Sequence, residues 1–465
     1  MSVKRATHTY AVNVHVPLPL IALPLHGDAD AESLFRQLFD AEAASFWLDA
    51  GAEADAGWSI LGTGRVETNP DAVRAVPLAA HGSADASGRD ARASSGVPFL
   101  GGWTGWLSYE DGAAASGAPI AASALPETSA WIAVERAIAI EHETGRAFAL
   151  ADADAIDTWQ HTVQTALAAG IPSADDAFSD QQTAIARHDV DEYVSLVEEC
   201  RAAIARGDAY QLCLTTRFAV ARPRDPLAVY LRLRTATPAH HGGYLRIGER
   251  HLLSASPEQF LAVEDGHVLT SPIKGTRPRG TTADDDAALA EELRTDVKER
   301  AENVMIVDLM RNDLSRIGVP GSVQVTRLWE VESYPAVHQL VSTVTARLRE
   351  GMTAGDLCDA AFPAGSMTGA PKLSAMSILC RLEQGARGVY SGCFGYVGLD
   401  GQVDLAMIIR SIVITAGGAY VGAGGGITWL SRPKAEAAEV ATKARAPLAA
   451  LGADLPPQWA ALLAE

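Results

Sequence analysis

Four glutamates, arranged as two pairs far apart in the chain, are the residues whose type and spacing most directly suggest chemistry. One pair is Glu299 and Glu302, and the other is Glu436 and Glu439. A spacing of three residues places both members of a pair on one side of a helix, where like charges repel and partial burial demands a cation. Carboxylate oxygens without histidine or cysteine alongside are the ligands that Mg²⁺ prefers. The two pairs therefore predict a magnesium site, provided that the fold brings them together.

Each pair also has an ordinary interpretation that needs no metal. Glu299 and Glu302 could belong to a solvated helix face. Glu439 stands four residues before Lys443, where an ion pair is worth a few tenths of a kcal/mol. The side of the first helix that carries its two glutamates continues with large apolar residues, so we expect that side to be buried. These residues are Ile306, Leu309 and Met310.

The elements that position these side chains can be predicted from hydrophobic periodicity. Helices are expected over residues 190–206, 287–314 and 433–451, the last beginning at a proline that suits a first turn. Short strands are expected over residues 46–49, 58–62, 99–110, 392–398 and 405–414. Because strands and helices do not alternate regularly, the pattern predicts the α+β class and disfavours a Rossmann fold or a barrel.

The length and charge of the chain narrow the classes of function. A chain of 465 residues is too long for one simple core, and we place a soft boundary between regions 1–175 and 185–455. The small polar segment His81–Gly96 is expected to be a surface loop. The net charge of −19 disfavours nucleic acid and acidic membrane surfaces as partners. An anionic substrate would therefore require positive groups that are gathered locally.

The cysteines and the N-terminal apolar stretch indicate the cellular compartment in which the protein is expected. Five scattered cysteines without a Cys-x-x-Cys pair are typical of reduced thiols in a cytoplasmic protein. The stretch Val16–Leu25 faintly resembles a signal peptide, but three prolines interrupt it. It is also shorter than the roughly 20 residues that a membrane helix needs. We therefore expect it to form an edge strand.

Ordered motifs between residues 254 and 428 resemble those of the chorismate-utilising enzymes, the family of anthranilate, aminodeoxychorismate, isochorismate and salicylate synthases. The N-terminal stretch Gly101–Glu110 also resembles the family. The resemblance implies an α+β fold with a large antiparallel β-sandwich core, helices packed outside it, and an active-site cleft between the N- and C-terminal parts. The motifs are Ser254–Phe260, Pro272–Gly280, Lys298–Glu302 continuing into Val307–Leu314, Phe362–Lys372, Arg387–Gly392 and Gly424–Thr428.

The resemblance also implies a ligand set. Mg²⁺ would be bound mainly by Glu302 and Glu439, with Glu299 and Glu436 acting through waters, and would hold the ring carboxylate of chorismate. The second carboxylate would meet Tyr390 and Arg410. The other substrate-binding groups implied are Gln211, Thr276, Ser366, Lys443 and the backbone near Gly424 and Gly426.

Two positions distinguish the branches of this family. Members that use water as the nucleophile carry a lysine base where this chain has Gln211, and glutamine cannot deprotonate water. The resemblance therefore implies the ammonia-using branch. Within that branch, anthranilate synthases read Pro-Ile-Ala-Gly-Thr, whereas this chain has Lys274 at the central position. This lysine resembles the nucleophile of the aminodeoxychorismate synthases, which act on the route to 4-aminobenzoate and folate.

The resemblance implies roles for three catalytic residues. Neutral Lys274 would attack ring C2 of chorismate as the C4 hydroxyl leaves, and ammonia would then displace it. Glu258 would be the general acid or base at the ring, and His338 would assist departure of the hydroxyl. A solvated lysine at a strand end and a structural core histidine are the alternatives for two of these residues.

The sequence also bears on the source of ammonia and on the alternative functions. There is no Gly-x-Cys-x-Gly glutaminase motif in the sequence, so we expect ammonia to be delivered by a separate glutamine amidotransferase subunit. The main alternative function is anthranilate synthase component I, and a catalytically silent relative is another. Ala50 stands where relatives that bind tryptophan usually carry serine, which leaves tryptophan binding open.

Overall fold

A computed structural model describes residues 17–78, 95–121, 128–169, 181–334 and 337–464. Within these ranges a 20-stranded antiparallel sheet forms the centre of the molecule, and helices pack against it. The predicted α+β class with a large antiparallel core is thus confirmed. In the described ranges there is no helix that is both long and apolar enough to cross a membrane.

The strands of the first part of the chain are β1 (Ile21–Pro24), β2 (Ala44–Asp49), β3 (Trp58–Val66), β4 (Gly102–Leu107), β5 (Ala130–Glu141) and β6 (Ala147–Ala151). Two short strands follow, β7 (Gln182–Thr183) and β8 (Ile185–Ala186). The middle of the chain contributes β9 (Gln211–Val220), β10 (His241–Ile247), β11 (Arg250–Ser256), β12 (Gln259–Glu264), β13 (His267–Thr270) and β14 (Ile273–Pro278). The remaining strands are β15 (Gln324–Ser333), β16 (Val337–Arg347), β17 (Gly369–Ala370), β18 (Cys393–Gly398), β19 (Val403–Met407), β20 (Ser411–Thr415), β21 (Gly418–Ile427) and β22 (Ala453–Asp454).

The helices in the described ranges are α1 (Ala31–Leu38), α2 (Pro70–Arg74), α3 (Tyr109–Ala115), α4 (Ile156–Ala169), α5 (Val190–Ala205) and α6 (Pro226–Ala236). They continue with α7 (Ala283–Thr295), α8 (Val297–Ser315), α9 (Ala354–Ala361), α10 (Lys372–Glu383), α11 (Pro433–Ala450) and α12 (Pro457–Ala461). A short 3₁₀ turn, Gly365–Met367, lies between α9 and α10.

The helix predicted over residues 287–314 is two helices that meet at Asp296. Its backbone is extended (φ −62°, ψ 118°), and its carboxylate accepts a hydrogen bond of 3.0 Å from the backbone N–H of Glu299. This is an N-cap, which stabilises the first turn of α8 by roughly 1 kcal/mol. The break matters because it gives α8 its own direction and therefore sets where the first glutamate pair points.

The strand predicted over residues 405–414 is also interrupted. β19 ends at Met407, β20 begins at Ser411, and Arg410 between them adopts a left-handed backbone conformation with φ of 51°. A non-glycine residue in this conformation is uncommon and strained. Arg410 therefore belongs to neither strand.

Strands from the two predicted regions pair with each other. β2 pairs with β10, and β4 pairs with β18, so both halves contribute to the same sheet. The proposed division into regions 1–175 and 185–455 stays a prediction. Most of the boundary segment, and most of the loop predicted at His81–Gly96, lies outside the described residues.

Two further expectations can be compared with the structure. β1 pairs with β6 alone among the described strands, which confirms the edge strand expected near the N-terminus. On α8, Glu302, Ile306 and Met310 are buried, whereas Val297 on the other side is 83% exposed. The side of α8 that carries Glu302 is therefore the one that faces the protein interior, as predicted.

Candidate active site

Glu258, at the turn between β11 and β12, is a buried acid next to an amine. Its side chain is 8% exposed, and its Oε1 accepts a hydrogen bond of 3.2 Å from the Ser366 hydroxyl. Burial raises the pKa of Glu258 to about 7, even though the Lys274 ammonium, Ser366 and the backbone N–H of Ile273 all favour the charged form. A carboxyl group that is half protonated near neutral pH can both give and take a proton.

Lys274 lies on β14, which bends immediately after it. The pairing of β14 with β16 shifts register between Lys274 and Thr276. Gly275 at this bulge has φ of 78°, and a Cβ there would lie 2.7 Å from Leu293 and 3.0 Å from Glu299. The glycine therefore lets the strand approach α7 and α8 closely, which carries Lys274 to the first glutamate pair.

The Lys274 amine is half-buried, and among the described residues it forms no hydrogen bond or ion pair. Its charge nevertheless acts on the acids around it, because it lowers the pKa of Glu258, Glu302 and Glu439. A cation that lies close to three acids but is bound to none of them has a nitrogen available for chemistry. This differs from the solvated lysine that was the alternative.

The two predicted glutamate pairs converge from α8 and α11. Burial raises the pKa of Glu302, and the charges of Glu436 and Glu439 raise it further. Burial likewise raises the pKa of Glu299 and of Glu436, each with a contribution from its own pair partner. Glu302 is 9% exposed, and its Oε1 is buried without a hydrogen-bond partner. Four carboxylates whose charges act on one another, one of them with an oxygen that has no hydrogen-bond partner, form a site where a bound cation would be favourable.

Lys298 lies among these carboxylates, a role that sequence reasoning missed. Its Nζ is 3.6 Å from Glu302 Oε1. Burial would lower the pKa of Lys298, but the four glutamates together raise it. The i,i+4 spacing from Lys298 to Glu302 was the available signal. Lys298, Lys443 and Lys274 all act on these acids, yet the pKa values of Glu299, Glu302 and Glu436 stay raised.

The fit of Mg²⁺ to these residues can be judged from their oxygens. All four donors are carboxylates, and one buried oxygen has no hydrogen-bond partner, which suits a hard divalent cation. Within the described ranges, no group of three or more histidine, cysteine, aspartate or glutamate side chains is close enough to hold a metal ion as placed. The donor chemistry therefore fits, and binding would require the side chains to move together.

The glycine-rich strand β21 lies beside Gln211 and Lys443. Gln211 on β9 is 1% exposed, its Oε1 has no hydrogen-bond partner, and its amide nitrogen would lie 2.3 Å from a Cβ placed at Gly426. Lys443 on α11 donates a hydrogen bond of 2.8 Å to the carbonyl of Gly424 and forms an ion pair of 2.6 Å with Glu439. The predicted i,i+4 ion pair is confirmed, and it lies inside the site.

Tyr390 and Arg410 lie near each other and could together bind an anion. Tyr390 is buried, and burial raises its pKa so that the phenol stays protonated. Burial lowers the pKa of Arg410, while Glu439 and Tyr390 oppose the shift. A buried hydroxyl beside a guanidinium is a suitable receptor for a carboxylate. Thr276, which was expected to contact substrate, is an exposed residue just beyond the bulge.

A buried ion pair holds several of these segments together. Arg387 donates hydrogen bonds to both oxygens of Glu383 at 2.7 and 2.9 Å, and also to the carbonyls of Met367 and Cys213. The Glu383 carboxylate in turn accepts from the backbone and hydroxyl of Thr215 at 2.9 Å. The pair thus ties the turn of Ser366 and the strand of Gln211 to the loop before Tyr390.

His338 on β16 is buried, but its described contacts do not include Glu258 or Lys274. Its Nε2 lies 2.9 Å from Asp286 Oδ1, and its Nδ1 lies 2.8 Å from the Ser333 hydroxyl. Sequence reasoning did not identify Asp286, because 52 residues separate it from the histidine. The role expected for His338 stays a prediction.

Comparison with known proteins shows the family to which the chain belongs. The model of the family described as chorismate binding enzyme matches residues 35–449. The chain is 40% identical over 463 residues to the aminodeoxychorismate synthase of Streptomyces pristinaespiralis, covering 91% of this chain and 64% of that protein. It is 39% identical to anthranilate synthase component 1 of Streptomyces coelicolor, covering 76% and 73%.

A solved structure is similar along nearly the whole chain. The crystal structure of anthranilate synthase component I from Streptococcus pneumoniae matches with a TM-score of 0.70 and 28% identity, covering 96% of this chain and 95% of that one. The fold and the family are thus shared with both kinds of synthase. The degree of identity alone does not separate the two kinds.

Proposed function

Since the chain belongs to the family of chorismate binding enzymes, we propose that it acts as an aminodeoxychorismate synthase component I. It would convert chorismate and ammonia to 4-amino-4-deoxychorismate, and the alternative is anthranilate synthase component I. The proposal rests mainly on the position of the Lys274 amine. Its amine has no partner among the described residues and lies in the electrostatic field of Glu258, whose pKa is raised to about 7 by burial. An amine in this position supports covalent catalysis.

The residues of this chain suggest how the reaction would proceed. The Lys274 lone pair forms a bond to ring C2, the ring double bonds shift, and the C4–O bond breaks as the oxygen takes a proton and leaves as water. Ammonia then bonds to C4, the double bonds shift back, and the C2–N bond breaks with its electrons returning to Lys274. Because the lysine occupies C2, ammonia is directed to C4 and the enolpyruvyl group is retained. Glu258 would carry protons between these steps.

Substrate binding would use the positive groups of the cleft. Tyr390 and Arg410 would hold the enolpyruvyl carboxylate, and Lys443 and Ser366 would complete the anion site. Gln211, with its buried and unpaired Oε1, is available to accept a hydrogen bond from an N–H or O–H group in the cleft. It offers no base, which supports ammonia rather than water as the nucleophile.

Mg²⁺ is part of the proposal. Glu302 and Glu439 would bind it directly, and Glu299 and Glu436 would act through waters. When bound, the ion would supply Lewis-acid polarisation at the ring carboxylate of chorismate. The Oε1 of Glu302, which has no hydrogen-bond partner, and the raised pKa of three of the four acids support a cation at this place.

Ammonia and the cellular setting complete the proposal. We expect ammonia to come from a separate glutamine amidotransferase subunit, in a cytoplasmic route to 4-aminobenzoate and folate. The chain spans 64% of the length of the aminodeoxychorismate synthase from Streptomyces pristinaespiralis, so the partner and the pathway are inferred and not read from that relative.

Product analysis tests the proposed function. Purified protein is incubated with chorismate, Mg²⁺ and ammonium, and the products are separated and weighed by mass spectrometry. We expect 4-amino-4-deoxychorismate with no release of pyruvate, and no product when Mg²⁺ is chelated. Fluorescent anthranilate with an equal amount of pyruvate would overturn the proposal in favour of the alternative. Absence of any amination product would point to a catalytically silent relative.

A further inference from the structure

Glu258 is held by a hydroxyl group that comes from a distant part of the chain. Ser366, in the 3₁₀ turn Gly365–Met367, donates a hydrogen bond of 3.2 Å to Glu258 Oε1, and both residues are buried. The carbonyl of Met367 in the same turn accepts a hydrogen bond of 2.6 Å from the buried guanidinium of Arg387. The fold therefore sets the position of the Ser366 hydroxyl beside the acid.

The Ser366 hydroxyl has a single hydrogen, and two acceptors compete for it. A serine hydroxyl can donate one hydrogen bond, and an ionised carboxylate can only accept. In the structure the hydrogen is given to Glu258. The proposed function also places Ser366 in the anion site for chorismate, where it would donate to a substrate carboxylate. Because one hydrogen cannot fully serve both acceptors, substrate binding would take it away from Glu258.

The groups that face Glu258 differ in how easily they can change. Burial raises the pKa of Glu258 to about 7, whereas Lys274 on β14, Ser366, the backbone N–H of Ile273 and Lys443 on α11 all lower it. The two lysines act through their charge, but the Ser366 hydroxyl acts through a hydrogen bond that rotation of one side-chain bond can break. Loss of this donor and arrival of an anion would both favour the protonated form of the acid.

We propose that Ser366 is the positioning residue of Glu258, and that its hydroxyl turns to a carboxylate of chorismate when the substrate binds, so that Glu258 takes up a proton. The inference rests on the proposed function, which supplies the substrate and the reaction at Lys274. Substrate binding thereby prepares the acid that the first chemical step requires. Before chorismate binds, Ser366 keeps Glu258 in its charged form.

The proton that Glu258 takes up is used and returned within one turnover. As the Lys274 nitrogen bonds to ring C2, the C4–O bond breaks, and the oxygen leaves with its electron pair and the Glu258 proton as water. Ammonia then bonds to C4 through its lone pair, the C2–N bond breaks, and its electrons return to Lys274. The new ammonium group at C4 gives one proton to the Glu258 carboxylate, which restores the acid.

Proton uptake on substrate binding tests the inference directly. Lys274→Arg keeps a positive charge beside Glu258 but removes the nucleophile, so that chorismate binds without reacting. Titration calorimetry at pH 8, with Mg²⁺ already bound and in buffers of different ionisation enthalpy, counts the protons taken up per chorismate. We expect on the order of half a proton, because an acid with a pKa of about 7 is mostly ionised in the free protein at this pH. In the same background Glu258→Gln should abolish the uptake, and Ser366→Ala should reduce it by roughly half.

The pH profiles of the active protein provide a second measurement. With ammonia held at a constant saturating concentration, kcat reports on the substrate complex, and kcat/KM for chorismate reports on the free protein. In the wild type we expect the ionisation of Glu258 to lie about one pH unit higher in kcat than in kcat/KM, because the hydroxyl contributes only in the free protein. In Ser366→Ala the two profiles should nearly coincide. Ser366→Thr, which keeps a hydroxyl, should separate them again.

Ser256→Ala is the matched control for these profiles. The Ser256 hydroxyl accepts a hydrogen bond of 3.3 Å from the backbone N–H of Glu258, so it supports the same residue without touching its carboxyl group. The two profiles of Ser256→Ala should therefore stay separated, whatever its kcat. If Ser366→Ala does not fold, Ser366→Cys replaces it, because a thiol is a much weaker donor.

Three results would overturn the inference. A purely structural role for Ser366 would lower kcat and leave the two profiles separated in Ser366→Ala. A role in substrate binding alone would raise the KM for chorismate and leave the ionisation seen in kcat/KM unchanged. Proton uptake that is undiminished by Ser366→Ala would show that the hydroxyl does not control the acid. If Lys274→Arg fails to bind chorismate, the pH profiles alone decide.

Failure of the inference is distinguishable from failure of the proposed function. Release of anthranilate by the wild type would show that the proposed function is wrong. The proton uptake is measured on binding, so it does not depend on which product forms. If the wild type makes no product, the calorimetry is carried out on the wild type itself, with the same results expected for Glu258→Gln and Ser366→Ala.

Discussion

Two buried acids, one in each half of the molecule, have opposite surroundings. Asp49 at the end of β2 is 4% exposed, and its carboxylate accepts from Tyr230 at 2.9 Å, from Arg234 at 2.5 Å and from Ser59 at 3.2 Å. Glu302 on α8 is 9% exposed, and one of its oxygens has no hydrogen-bond partner. The first acid is fully paired, and the second is crowded by other acids.

The different surroundings of Asp49 and Glu302 indicate a structural role for the first acid and a functional role for the second. A buried carboxylate that is surrounded by donors stabilises the packing around it and has little capacity for anything else. A buried carboxylate that repels its neighbours costs folding free energy, which binding of a cation can recover. Asp49 thus serves the packing of the fold, whereas the charge of Glu302 remains available to bind a cation.

The surroundings of Asp49 reinforce the contrast. A cavity of about 460 Å³ opens beside it, lined largely by apolar and aromatic side chains. His240 in its wall stacks on Tyr334 with ring centroids 4.6 Å apart, and burial lowers the pKa of His240 to about 4, so that the ring is neutral at pH 7. Ala50 also lines this cavity.

The largest expected effect is at Glu258, the acid that faces Lys274. Glu258→Gln should lower kcat by roughly 10²- to 10⁴-fold, because an amide cannot exchange protons with the substrate. Steady-state kinetics with ammonium and saturating Mg²⁺ measure this. Glu264→Gln, at the exposed end of the strand β12 that follows Glu258, is the control. A loss of kcat below about threefold would show that Glu258 does not transfer protons in the reaction.

The same substitution should change the pH dependence of stability. Folding raises the pKa of Glu258 from 4.5 to about 7, so the folded protein holds a proton that the unfolded chain releases between these values. The wild type should therefore lose stability relative to Glu258→Gln as the pH rises from about 4.5 to 7, by on the order of 3 kcal/mol, and the deficit should persist above pH 7. Urea unfolding at several pH values tests the sign.

An intermediate effect is expected at Glu302. Mg²⁺ at about 100 times its dissociation constant should stabilise the wild type by about 2.7 kcal/mol. Glu302→Gln should lose most of that gain, yet be more stable than the wild type without metal, because it removes one repelling charge. Thermal unfolding with and without Mg²⁺ checks both parts, with Glu199→Gln on an exposed helix face as the control. An undiminished response to Mg²⁺ would contradict the site.

The smallest effect is expected at Asp49. Asp49→Asn weakens charged hydrogen bonds to Tyr230 and Arg234 and should cost about 2 kcal/mol of stability. The kcat and the KM for chorismate should change by less than about twofold. A large loss of kcat at unchanged stability would show that Asp49 takes part in function, and Asp49 and Glu302 would then not differ in role.

Sequence reasoning succeeded where the signal is local or repeated along the chain. The i,i+3 acid pairs, the buried side of α8 and the bounds of α5 and α11 follow from periodicity. The break at Asp296 was visible in principle, since aspartate is a common N-cap, but the periodicity continued through it. The left-handed turn at Arg410 had no local signal, because arginine rarely adopts that conformation.

The partners of site residues were the least predictable. Asp286 on α7 contacts His338 on β16, and Arg387 joins segments that are distant in sequence. Such contacts depend on how the sheet and helices pack, which periodicity does not specify. Lys298 was an exception, because its spacing from Glu302 was visible and was not used.

The central claim is that the Lys274 amine bonds to the substrate ring. The most direct test is mass analysis of the rapidly quenched protein after mixing with chorismate and Mg²⁺ in the absence of ammonium. We expect a species heavier than the free protein by chorismate less water, located on the peptide that contains Lys274, discharged by ammonium and absent from Lys274→Ala. An undiminished yield of 4-amino-4-deoxychorismate from Lys274→Ala, with no such species in the wild type, would contradict it.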